Sequence, residues 1–177
     1  MKYTIFFFIY FTYVWRICAQ TPDELFLQQG IDYAKDGSYK KAMKCYNKAI
    51  AYNAELAEAY YQRGQLHYEA HHYQAVIDDN KEAIRLKPAF KDAYFNLGIS
   101  HYRLAEFNQS IQNFTTLLTL YPQDAEALYW RGLAYFDLKK LKEACADWQL
   151  AQKLGHGTVN AVIHKHCESE NAVQTGD

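Results

Sequence analysis

The sequence predicts an all-α solenoid of four helix-turn-helix units, closed by a C-terminal capping helix. Four glycines stand at successive intervals of 34 residues, namely Gly30, Gly64, Gly98 and Gly132. Four residues before each glycine lies a large apolar or aromatic residue, and three residues after each lies a ring. Nineteen residues after each glycine lies alanine or leucine. A fixed period of this length is typical of stacked helical repeats, because each unit buries its apolar face only against its neighbours.

Each unit is predicted to contain two helices and a turn. In the second unit, the apolar residues recur at helical spacing from Ala57 to Tyr68, and a second helix follows from Tyr73 to Leu86. Pro88 ends this helix, and Pro122 ends the equivalent helix one period later. The same phase gives units at residues 23–56, 57–90, 91–124 and 125–158.

The repeated glycine has a structural explanation. Glycine inside a helix costs about 1 kcal/mol relative to alanine, so a helix keeps it only for a reason. We expect it to let the two helices of a unit approach closely. The ring three residues later and the small residue of the second helix are expected to fill the surrounding space. This interpretation places the ring of His67 in the core.

The two ends of the chain differ from the repeats. Val159, Ile163 and Cys167 form a single apolar stripe, which predicts a capping helix over residues 159–167 and a disordered polar tail over residues 168–177. At the other end, Lys2 precedes an uncharged apolar run that ends before Arg16. This predicts a signal peptide at residues 1–19, cleaved after Ala19. The alternatives are a retained membrane anchor, for which the run is short, and a lipoprotein acylated on Cys18.

Charge excludes some classes of partner. The whole chain carries a net charge of −1, and no basic tract is present. Nucleic acid is therefore not expected as a partner, and nor is membrane insertion after cleavage of the signal. The sequence also contains no phosphate-binding loop and no nucleophile elbow, so catalysis and cofactors are not expected.

Histidines and cysteines offer two more specific hypotheses. His67 and His71 are four residues apart, as metal-binding pairs often are, but no further ligand completes a set and no metal site is predicted. Cys145 and Cys167 each lie 11 residues from His156, the expected turn before the capping helix. Residues equidistant from the turn of a helical hairpin face each other, so a disulfide is predicted in an exported protein.

The ordered pattern of residues around the glycines resembles the tetratricopeptide repeat family. In that order a large apolar residue is followed by glycine, tyrosine, alanine, an aromatic residue, alanine and proline. The first unit matches it with Phe26, Gly30, Tyr33, Ala42, Tyr46 and Ala49. The other three units follow in phase, with departures such as Asn80 and Leu117. The resemblance covers residues 23–158 and implies a right-handed α-solenoid.

In this family the first helix of each unit lines the concave face. The resemblance therefore implies a partner-binding groove formed by the fifth, sixth, ninth, twelfth and thirteenth residues of units two to four. Thirteen of these fifteen residues, all except Glu69 and Asp137, are called the groove residues. The predicted groove residues are Tyr61, Gln62, Gln65, Tyr68, Phe95, Asn96, Ile99, Tyr102, Arg103, Tyr129, Trp130, Leu133 and Phe136. Exposed aromatic residues with one arginine are typical of interface hot spots.

Two functions agree with these observations. The first is a scaffold or adaptor that binds a protein or peptide in the groove, and the second is a structural subunit of a cell-envelope assembly that docks through other faces. A periplasmic protein that binds a metal or a small ligand through its histidines is a weaker third hypothesis. The segment from Glu143 to Gly155 resembles the last repeat of small exported bacterial proteins of this family. This resemblance favours the periplasm or the outer cell surface.

Overall fold

Residues 20–167 are described by the computed structural model of the chain. Within this range the secondary structure is entirely helical, which confirms the predicted all-α fold. The helices are α1 (Pro22–Lys35), α2 (Tyr39–Tyr52), α3 (Ala57–Glu69), α4 (Tyr73–Leu86), α5 (Lys91–Arg103), α6 (Phe107–Leu120), α7 (Ala125–Asp137), α8 (Leu141–Lys153) and α9 (Val159–His166). The predicted signal peptide at 1–19 and the predicted tail at 168–177 lie outside the described residues.

The helices stack in the order of the chain. Helices α3, α5 and α7 begin at Ala57, Lys91 and Ala125, the first residues of the second, third and fourth predicted units. The two helices of each unit pack together, and the second helix of each unit packs against the first helix of the next. The first helices also contact one another, α1 with α3 and α5 with α7. The groove residues of adjacent units are therefore neighbours in space.

A left-handed residue joins the two helices of every unit. It is the fifteenth residue of the unit, glycine at Gly37 but His71, Ala105 and Lys139 in the other three. The following N–H group donates back to a carbonyl near the end of the first helix, as Glu106 does to His101 at 2.9 Å. This bond satisfies a carbonyl that the helix end leaves unpaired. Three of the four turns therefore hold a side chain in a backbone conformation that favours glycine.

The four glycines of the period provide the clearance that the sequence predicts, but for a different side chain. The residue that lies against each glycine is 16 positions later, on the second helix, and not the ring three positions later. A Cβ atom at Gly98 would lie 2.6–2.8 Å from three ring atoms of Phe114. Tyr46 and Trp148 lie against the glycines of the first and fourth units in the same way, and Asn80 takes this place in the second.

The prediction that His67 is buried is wrong. Its side chain is 24% exposed because it projects from the last turn of α3, beside Asp79 and the ring of His72. The equivalent ring of Tyr33 is 36% exposed, while His101 is buried. Burial of the side chain at this position therefore varies from unit to unit.

Helix α9 covers the end of the stack. Val159, Ile163 and Cys167 are buried in one apolar cluster with Trp148 and Ala151 of α8. A disulfide joins Cys145 to Cys167, whose Cα atoms are 5.7 Å apart. The capping helix is thereby held both by apolar contact and by a covalent bond. Cys45 is a buried free thiol.

Two partly buried ion pairs, which the sequence analysis did not identify, link the helices within the second and fourth units. Arg63 bonds both carboxylate oxygens of Asp79, and Arg131 bonds both of Asp147, at 2.6–3.2 Å. The Asp79 hydrogen bond raises the pKa of Arg63. Each arginine also donates to the preceding unit; Arg63, for example, bonds Asn47 at 2.7 Å. These pairs fix the position of each unit against its neighbour.

Candidate functional site

The groove residues occupy one continuous face of α3, α5 and α7. Arg103 is exposed, and all the others are half-buried except Ile99. Ile99 is only 4% exposed, because it lies in the same apolar cluster as Phe114 and Leu128. It belongs to the floor beneath the groove and does not line its surface. The remaining twelve predicted residues keep part of their side chains accessible to solvent.

Polar contacts connect the groove between the second and third units. The Nε2 group of Gln65 donates to the hydroxyl of Tyr61 at 2.9 Å. The Nδ2 group of Asn96 donates to the Oε1 atom of Gln65 at 3.2 Å. The ring of Tyr61 also packs against Phe90, with centroids 4.9 Å apart. Burial, followed by the carboxylates of Asp92 and Glu58, raises the pKa of the Tyr61 phenol.

Aromatic contacts connect the third and fourth units. Tyr102 packs edge-on against Trp130 with centroids 5.5 Å apart, and its hydroxyl donates to Asp137 at 2.7 Å. Arg103 places its guanidinium carbon 5.8 Å from the centroid of Trp130. Burial and the Asp137 hydrogen bond raise the pKa of the Tyr102 phenol. Trp130 in turn packs against Tyr129, with centroids 5.9 Å apart.

Some groove rings also contribute to the core. Phe95 packs edge-on against Phe114, and Phe136 packs against Trp148. These rings rest on the side chains that fill the glycine clearances, so the core of each unit supports the groove directly. Rings held in this way lose little conformational freedom on binding a partner, which favours their use as anchors.

An acidic row follows one edge of the groove. The second residue of every unit is a carboxylate, and in units two to four these are Glu58, Asp92 and Glu126. Gln62 donates to Glu58 at 2.7 Å, and the indole N–H of Trp130 donates to Glu126 at 2.8 Å. The sequence analysis did not identify this row, although its 34-residue spacing was visible. These bonds place carboxylates directly beside groove side chains.

The groove ends at the turn before the capping helix. His156 stacks on Tyr129 with centroids 4.6 Å apart and lies 2.9 Å from Glu126. Together with Gly155 and Thr158 these residues line an open cavity of about 570 Å³. The groove therefore continues past Trp130 to the last turn of the stack.

The two histidines that are four residues apart in the sequence, His67 and His71, lie in different surroundings. His71 lies beyond the end of α3, in the left-handed turn, and its Nδ1 atom is 3.0 Å from the hydroxyl of Tyr73. His67 instead faces Asp79. Among residues 20–167, no group of three or more His, Cys, Asp or Glu side chains lies close enough together to hold a metal ion. The same part of the chain has no helix with the length and apolar character that a membrane crossing requires.

Two family models match the sequence. One is described as a tetratricopeptide repeat and matches residues 95–153; the other is described as a TPR repeat and matches residues 30–70. Together they cover parts of all four units. No curated protein matches the chain.

Solved structures of the same architecture are similar to this chain. A crystal structure of MamA is 26% identical, with a TM-score of 0.73 over 78% of this chain and 81% of that one. MamA from Desulfovibrio magneticus RS-1 is 18% identical, with a TM-score of 0.76 over 88% and 91% of the two chains. YrrB, described as a TPR protein with an unusual peptide-binding site, is 20% identical, with a TM-score of 0.70 over 77% and 70%.

Proposed function

This chain belongs to the tetratricopeptide repeat family, and on that basis we propose that it is a non-catalytic scaffold whose groove binds a partner protein or peptide. Its family and its structural neighbours support a role in protein interaction. The observation that carries the groove assignment is the continuous set of half-buried rings across α5 and α7, centred on Tyr102 and Trp130.

These rings have the properties of binding anchors. Tyr102 and Trp130 are held by each other and by hydrogen bonds to Asp137 and Glu126, while part of each ring remains accessible. Tyrosine and tryptophan are the residues most often found at the energetic centre of protein interfaces. Gln62, on the groove face of α3, is half-buried and offers a side-chain amide to the backbone of an extended segment.

A second function is favoured by a different surface. An apolar cavity of about 550 Å³ lies between α2 and α3, where it is lined by residues that include Tyr39, Met43 and Leu66. Tyr39 is 51% exposed, and Tyr52 at the far end of α2 is 64% exposed. A structural subunit of a larger envelope assembly would dock through such a surface and leave the groove empty.

We also propose that the chain is exported to the periplasm or outer surface of a bacterium. The pattern of residues 1–19 supports this proposal, and so does the pairing of Cys145 with Cys167, since disulfides persist in oxidising compartments. Mass measurement of the native protein after alkylation, with and without reductant, tests both features. A retained N-terminal segment together with alkylation of both Cys145 and Cys167 without reductant would contradict export.

Variants of the groove and of α2 distinguish the two binding functions. Tyr102→Ala with Trp130→Ala should abolish capture of the native partner while the helical circular dichroism is kept. Tyr39→Ala with Tyr52→Ala is the matched control, because it removes two exposed rings from the opposite helix layer. Loss of capture in the α2 variant alone would favour docking through other faces.

A further inference from the structure

We infer that the groove selects a basic segment of its partner, with arginine or lysine side chains that meet the carboxylates along the groove edges. This inference rests on the proposed function, because it names the chemistry of the partner that the same groove binds. The distribution of charge around the rings supports this chemistry.

The first edge of the groove is acidic in every unit. Glu58, Asp92 and Glu126 repeat at intervals of 34 residues along α3, α5 and α7. The groove side chains Gln62 and Trp130 bond the first and last of these carboxylates. The row therefore lies within reach of any segment that contacts the rings.

The opposite edge adds two further carboxylates. The thirteenth residues of units two to four are Glu69, Arg103 and Asp137. Around the rings of these units, the five carboxylates outnumber three cations, which are Arg103, Lys87 over the ring of Phe90 and Lys139 over the ring of Phe136. The excess of negative charge lies mainly along the first edge, where an acidic segment would meet repulsion and a basic segment would meet attraction.

The helix ends do not account for this charge. Carboxylates in the first turn of a helix interact favourably with its dipole, which would explain the first row alone. Glu69 and Asp137, however, are the last residues of α3 and α7, where the dipole disfavours a negative charge. Asp137 has a structural partner, since it accepts a hydrogen bond from Tyr102, but Glu69 is exposed at the end of α3, and a cationic ligand would account for it.

The groove already holds one cation in the manner proposed for the partner. The guanidinium of Arg103 lies over the ring of Trp130, and the carboxylate of Asp137 accepts from the neighbouring Tyr102. A cation above an aromatic face is attracted by the quadrupole of the ring. Arginine side chains of a bound segment would use the remaining rings and carboxylates in the same way.

Peptides of defined charge test the inference. The probe is a fluorescein-labelled peptide of repeated Gly-Arg-Leu triplets, compared with matched peptides that carry glutamine or glutamate in place of arginine. Fluorescence anisotropy with the folded chain should show the arginine peptide binding at least tenfold more tightly than the glutamine peptide. The glutamate peptide should not bind.

Charge-neutralising variants locate the effect. The triple variant Glu58→Gln, Asp92→Asn and Glu126→Gln should bind the arginine peptide about tenfold more weakly, since one exposed ion pair contributes a factor of up to about five to the affinity. A control variant that removes three charges from second helices should change affinity less than about twofold. The control substitutions are Asp78→Asn, Glu82→Gln and Glu143→Gln.

Three results would overturn the inference. The first is equal or tighter binding of the glutamine or glutamate peptide, and the second is an equal loss of affinity in the two triple variants. The third is that none of the peptides binds. The proposed function is judged separately, by capture of the native partner with the Tyr102 and Trp130 variants.

Discussion

Substitution of Gly98 by alanine would place a methyl group against a ring that has no room to move. The added Cβ atom would lie 2.6–2.8 Å from three atoms of the Phe114 ring, which is 0% exposed. Forcing an extra carbon into a packed core costs about 1–3 kcal/mol. Alanine recovers about 1 kcal/mol of helix propensity over glycine. We therefore expect a net loss of up to about 2 kcal/mol in the free energy of unfolding.

Urea unfolding followed by circular dichroism measures this loss. The same substitution in a Phe114→Leu background provides the decisive comparison, because leucine removes the ring edge that the methyl group meets. In that background Gly98→Ala should be neutral or stabilising, which gives a coupling energy of about 1–3 kcal/mol, equal to the packing cost that is relieved. An equal loss in both backgrounds would refute the clearance explanation of the 34-residue glycine period.

Three further predictions concern other parts of the fold. Arg131→Ala should destabilise the chain by about 2–4 kcal/mol, because it leaves the buried carboxylate of Asp147 without its two hydrogen bonds; chemical denaturation measures the loss. Ala105→Gly should stabilise it by about 0.5–1 kcal/mol, since φ is 57° at this residue and glycine removes most of the left-handed cost; thermal unfolding measures the gain. Joint replacement of Cys145 and Cys167 by alanine should cost about 3 kcal/mol, because the cysteines are 22 positions apart and their bond restricts the unfolded chain; urea unfolding of the oxidised protein and the double variant measures the difference.

Each of these predictions has a control. Arg85→Ala breaks an exposed pair with Glu82, whose side chains are 63% and 45% exposed, and should change stability by no more than about 0.5 kcal/mol. If Arg131→Ala changed stability as little as Arg85→Ala does, the stabilising role of the Arg131–Asp147 pair would be contradicted. Ala105→Val should destabilise, because a branched side chain fits the left-handed turn poorly. For the disulfide, equal midpoints of the oxidised chain and the double variant would count against its role.

The period in the sequence predicted the architecture because each unit repeats the same contact. Once the glycines were placed in phase, the first helices of units two to four were expected at the residues where α3, α5 and α7 begin. The disulfide in the terminal hairpin could be predicted from the sequence for a related reason. Its turn lies midway between Cys145 and Cys167, and two antiparallel helices bring such residues to the same level.

Contacts between different helices were harder to predict. The residue that fills each glycine clearance lies on the second helix, so its identity depends on how the two helices cross and not on helical periodicity. The Arg63–Asp79 pair was missed for the same reason. Ile99 occupies a repeat position shared with half-exposed Gln65 and Leu133, yet it is buried in the core cluster beside Phe114. A period cannot predict such differences between equivalent positions.

Site-specific photocrosslinking is the most direct test of the groove as the binding surface. A benzophenone amino acid would be placed at Tyr102 or Trp130 in the groove, and at Tyr39 or Tyr52 of α2 as controls. The groove account predicts covalent capture of the partner from the two groove positions, and no capture from α2. Capture from the α2 positions alone would contradict it.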